Sequence, residues 1–166
     1  MVDNAEQSIR RAQKLLETSS SIENYISIKI KPTNGTCCCF DCWPRTWDTI
    51  NEQISHYGHL EDEGDVSIGD RDEKFVLQCH ENGPEIIIPI GIAGASLVIN
   101  IANLVVNIIK NRQKEKIGAQ FKITKRVIIH NRIIEENVME INFPISKENV
   151  TLLNCKIKEI LEKDKN

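Results

Sequence analysis

The run from Ile86 to Ile109, IIIPIGIAGASLVINIANLVVNII, carries no charged side chain over a length that can cross a bilayer as a helix, and this constrains the fold more than any other segment. Two structures can absorb such a run: a span in lipid, or buried elements of a globular domain. On a period of 3.6 residues, Ser96, Asn100, Asn103 and Asn107 fall on one side and lead into Lys110, Asn111 and Lys114. They make a polar stripe roughly 100° wide. Three amides on one stripe oppose a lone lipid-facing helix, because an unpaired amide in hydrocarbon is costly. Pro89, Gly91 and Gly94 make the opening of the run irregular, so the spacing predicts a regular helix from about Gly91 to about Gln113. The apolar arc of that helix is wider than docking onto one sheet face requires. In a soluble fold the terminal helices or another subunit would cover the remainder. In a membrane, lipid would cover it, with the asparagines lining a helix bundle and Lys110, Arg112, Lys114 and Lys116 marking the cytoplasmic side.

The flanks of the run favour the globular reading. Ala5 to Thr18 places Ile9, Ala12, Leu15 and Leu16 at helical spacing in an otherwise polar segment, predicting an amphipathic N-terminal helix and linker over residues 1–21. Residues 22–166 then read as a single α+β domain. Tyr25 to Lys31 alternates apolar and polar residues, the pattern of a half-buried strand, with a hairpin partner expected at Thr36 to Cys42. Pro44 opens a predicted helix through Trp47, Ile50, Ile54 and Tyr57, and Glu61 to Glu73 is expected as an acidic loop. Lys74 to His80, Phe121 to His130 and Val138 to Phe143 read as strands, the last two joined by a connection over Asn131 to Asn137. Ser146 is a suitable N-cap for a final amphipathic helix carrying Val150, Leu153, Ile157, Ile160 and Leu161. The fold class expected is α+β: a mostly antiparallel sheet packed by a long central apolar helix plus shorter helices.

A net charge of −3 conceals an asymmetry. Acids dominate from Glu61 to Glu73, whereas Lys110 to Arg132 holds eight basic residues and one acid, Glu115. Such polarity suits protein contacts, a polyanion or a lipid surface. Nucleic acid is not expected, because no aromatic stacking partners alternate with the basic residues. The chain opens on a polar amphipathic segment without the apolar core of a secretory leader, so a cytoplasmic location is expected, with the cytoplasmic face or the interior of the inner membrane as the alternative.

Six cysteines in such a chain read as thiols or metal ligands rather than disulfides. Cys39 and Cys42, with His56 and His59 farther on, give a C-x2-C and H-x2-H arrangement that could close a tetrahedral structural zinc site. The histidine spacing is one residue short of the usual range, and Gly58 lies between the two ligands. No other cofactor or small-molecule substrate is expected. Cys79 and His80 are adjacent on a strand and point to opposite faces, so they form no catalytic dyad. The candidate interaction residues are Asn100, Asn103, Asn107, Lys110, Arg112 and Lys114.

From about Tyr25 onward the expected order is a strand, a helix bearing Trp47, a strand, an apolar helix ending in basic residues, two strands and a short helix, and the segments GIAGASLVINIANLVVNIIKNRQKEK, AQFKITKRVIIH and SKENVTLLNCKIKEIL carry its second half. In this the chain resembles the effector-associated constant components, small α+β proteins encoded beside effectors in prokaryotic conflict systems. The resemblance implies a non-enzymatic adaptor or regulatory partner with no active site. The expected function is therefore a protein-interaction module that binds a protein partner or itself through the helix over 91–113 and the basic segment over 110–132. The alternative is a membrane-associated effector that oligomerises through a helix over 86–109.

Overall fold

The computed structural model describes residues 5–16, 21–33, 58–62, 65–68, 75–80, 83–90, 95–115 and 118–163. Among them, seven antiparallel strands form one sheet: β1 (Tyr25–Pro32), β2 (Gly58–Asp62), β3 (Asp65–Ile68), β4 (Phe75–His80), β5 (Gly83–Pro89), β6 (Phe121–Ile129) and β7 (Arg132–Ile141), in the spatial order β2-β3-β4-β5-β1-β6-β7. Three α-helices of the described residues accompany it: α1 (Ala5–Leu15), α2 (Ala95–Glu115) and α3 (Lys147–Lys163). The chain is thus α+β, with helices on both sides of an antiparallel sheet.

The first strand in the chain sits between β5 and β6 and joins the β2–β5 meander to the β6–β7 hairpin. Its position explains its sequence. Residues Tyr25 to Ile30 are all buried, so the alternation Ile26, Ile28, Ile30 against Ser27, Lys29 marks two different interiors rather than core and solvent. The isoleucines face α2 and α3. Tyr25 faces the other side, where Ile9 and Ala12 of α1 pack with Val76, Ile87 and Ile128. The N-terminal helix is therefore docked on the same sheet as the rest of the chain.

The uncharged run is divided between two elements. Ile86, Ile87 and Ile88 belong to β5 and are completely buried, and the helix begins only at Ala95. A strand buried on both faces shows no alternation, which is why its isoleucines merge with the helix in the sequence. A helix over 86–109, as the membrane alternative required, does not exist. Among the described residues no helix is long and apolar enough to cross a membrane.

On α2, Leu97, Ile101, Leu104, Val105, Ile108 and Ile109 are buried in one cluster with Ile28, Ile30, Leu77, Ile86, Phe121 and Ile123 of the sheet and Leu153, Ile157, Ile160 and Leu161 of α3. Two neighbours, the sheet and the last helix, share the wide arc. At its C-terminal end Gln113, buried, donates through Nε2 to the carbonyls of Ala119 (3.1 Å) and Asn142 (3.4 Å) and accepts at Oε1 from Ile145 N–H (3.0 Å). One side chain thus holds the helix end to the segments entering β6 and leaving β7. Ser146 caps α3, accepting from Asn149 N–H at 3.1 Å, the N3 contact of an N-cap serine.

Two expected loops are strands. His130 and Asn131 have φ of 50° and 59°, the two-residue turn that matches sheet twist, so β7 starts at Arg132 rather than at Val138. Polar Glu135-Glu136-Asn137 reads as a loop because β7 is an exposed edge. Likewise the acidic stretch after Gly58 contains the antiparallel pair β2 and β3. The expected hairpin partner at Thr36 to Cys42 and the helix after Pro44 lie outside the described residues.

Gly83 enters β5 at φ +118°, and a Cβ there would lie 1.9 Å from the Ile30 carbonyl oxygen of β1. Gly118 also has positive φ (+86°), with open space around it. Gly118→Ala is expected to cost about 1–3 kcal/mol for backbone conformation alone. Gly83→Ala adds displacement of β1 and should cost at least about 1 kcal/mol more, read from urea unfolding midpoints of the two variants.

Candidate interaction surface

The outer face of α2 follows from its inner one. With the helix fixed by its apolar residues, Asn100, Asn103, Asn107, Lys110 and Lys114 all emerge exposed. Their spacings alternate three and four residues, so they form a continuous row along the helix. Ile99 flanks this row at 58% exposure, a large apolar side chain left in water among amides. Arg112 does not share the surface. It is only 6% exposed, four residues after Ile108 on the inward side, so the six sequence-expected interaction residues reduce to five in one row.

The basic segment after α2 is not a single patch either. Along β6, Lys122, Thr124 and Arg126 share a face with Lys31, Lys29 and Ser27 of β1, while Lys125 lies on the opposite face. Arg126 is 2% exposed and pairs with Glu85 of β5, Nη2 to Oε1 at 2.7 Å. The Ser27 hydroxyl donates to the same carboxylate oxygen at 2.7 Å. Lys29, fully buried, lies in register between Glu85 and Thr124. Gln78, the neighbour of Glu85 on β4, donates through Nε2 to the Ser8 carbonyl of α1 at 3.1 Å. This polar layer stitches β4, β5, β1, β6 and α1 together.

Each member of the layer looks solvent-facing in the sequence, and that is why it is missed there. The available signal is Glu85 itself: an acid at the head of an otherwise apolar strand needs an internal cation. In this conformation the layer is closed to substrates, because Ser27, Lys29 and Glu85 have no exposed surface.

At the sheet edge, Lys31 forms an ion pair and hydrogen bond with Glu135 of β7, and that contact holds the Glu135 carboxyl below its usual range. A cleft of about 140 Å³ opens between the hairpin and α3, with Lys125, Glu136, Lys156 and Glu159 around Val138 and Ile160. Its balance of charges singles out no ligand.

Of the proposed zinc ligands, Cys39, Cys42 and His56 lie outside the described residues. His59 falls in β2, in register with Ser67. Among the described residues no group of three or more histidine, cysteine, aspartate or glutamate side chains could hold a metal ion. Comparisons of the chain with protein-family models, with curated proteins and with solved structures give no match.

The buried pair generates a directional expectation. Glu85→Leu leaves the buried Arg126 and Lys29 without the acid between them and should lose about 3–5 kcal/mol of stability. The triple variant Glu85→Leu, Arg126→Met, Lys29→Met removes all three charges and should lose less than the single one. Denaturant titration of the three proteins measures the difference.

Proposed function

We propose that this chain is a non-enzymatic protein-interaction module whose recognition surface is the outward row of α2. The observation that carries the reading is the arrangement of Asn100, Asn103, Asn107, Lys110 and Lys114 in one exposed line on a helix held firmly from behind. Amides supply donors and acceptors together, and ammonium groups at one end supply direction. A partner helix laid along this line would meet a hydrogen-bonding seam with a single apolar contact at Ile99, and acids near Lys110 and Lys114 would set its orientation. Burial of the helix on the sheet and α3 limits the ordering entropy such a contact must overcome.

The likeness in element order to effector-associated constant components supports a regulatory or assembly role in a prokaryotic conflict system. The chemistry of the surface suits that role, since amides and lysines recognise a partner without transforming it. No observation favours the membrane-embedded reading, whose continuous helix is split between β5 and α2.

A photo-crosslinking residue placed at Asn103, and separately at the exposed Asn154 on α3, tests the proposal in cells that express the natural partners. Discrete protein adducts from position 103 and none of the same mass from position 154 are expected. Identical adducts from both positions, or none from position 103, would contradict it.

A further inference from the structure

The last strand of the sheet, β7, pairs with β6 on one side and, among the described residues, forms the edge on the other. Long exposed edges are templates for strand addition, and this one is apolar near its start. Ile133 is 46% exposed and Ile134 41%, beside Ile129 of the same hairpin at 46%. The two-residue turn makes Ile129 and Arg132 the closing hydrogen-bonded pair, so alternation along the ladder turns the main-chain groups of Ile133 and Glu135 away from β6.

We propose that β7 pairs antiparallel with β7 of a second copy of this chain, about a two-fold axis at Ile134. The sequence Arg132-Ile133-Ile134-Glu135-Glu136 is complementary to itself in that register and in no neighbouring one. Edge pairing about a two-fold keeps each face of the sheet continuous, so residues directly opposite must share a face. Centred on Ile134, Arg132 of each copy stands opposite Glu136 of the other, and the two Ile134 side chains meet between these charge pairs. On the other face the two Ile133 side chains become diagonal neighbours. The outward main-chain groups of Ile133 meet those of Glu135, as a hydrogen-bonded ladder requires.

Shifting the centre to Glu135 or Glu136 places that carboxylate against its own symmetry mate, which is repulsive. Shifting it to Ile133 sets Arg132 against Ile134 and leaves both charges without opposites. Charge complementarity therefore selects one register and one occupant, a second copy. The pairing is independent of the α2 surface and joins the seven described strands of each copy into one sheet.

Light scattering during size exclusion tests the pairing on the full chain. The expected mass is twice 18.9 kDa. Arg132→Glu and Glu136→Arg, both at exposed positions, should each weaken self-association at least about tenfold. Mixing the two variants should restore a dimer, because position 132 of each copy then again faces an opposite charge at position 136 of the other, a rescue that a misfolded variant cannot give. A monomeric natural chain, single variants that dimerise like it, or a mixture that stays monomeric would overturn the proposal.

Discussion

Burying β1 on both faces obliges every polar group along it to find a partner inside the protein, and the rest of the structure is arranged around that obligation. A strand that is apolar on one side and carries Ser27 and Lys29 on the other can be central only if neighbouring strands bring matching groups. Glu85 and Arg126 do so from either side, meeting at 2.7 Å with the Ser27 hydroxyl on the same carboxylate. Such a pair adds little net stability over apolar residues of similar size, but it penalises wrong pairings heavily. Sliding β5 or β6 by one residue would turn Glu85 or Arg126 into the isoleucine layer. The ionic contact thereby fixes register across the three central strands, and Gly83 permits the close approach of β5 to β1 on which it depends.

With the sheet placed, α2 has one available orientation. Its isoleucines, leucines and valines are divided between the sheet and α3, and Gln113 ties its end to the chain on both sides of the β6–β7 hairpin. The amide row faces outward as a consequence. The edge of β7, proposed above to pair with a second copy, lies apart from that row.

Much of this was legible in the residues. Helical spacing located α1 and α3, Ser146 announced its cap, and the stripe of asparagines located the exposed side of α2. Elements whose burial departs from the usual alternation were not legible. Ile86 to Ile88 merged with the helix because β5 is covered on both faces, and Arg132 to Asn137 resembled a loop because β7 is exposed along this stretch. His130-Asn131 lacks the glycine that usually signals a turn with positive φ. Lys29, Glu85 and Arg126 look like surface charges one at a time, and only the strand order shows that they converge. Arg112 was grouped with its basic neighbours by sequence, yet helical phase turns it inward.

The whole arrangement depends on the division of the uncharged run, strand through Pro89 and helix from Ala95, with β5 held beside β1. Backbone chemical shifts and cross-strand proton contacts from the folded chain in solution address it directly. Extended shifts over residues 83–89, helical shifts over 95–115, and contacts between Glu85 and Lys29 and between Ile87 and Ser27 are expected. Helical shifts running unbroken from Ile86, without those contacts, would contradict it.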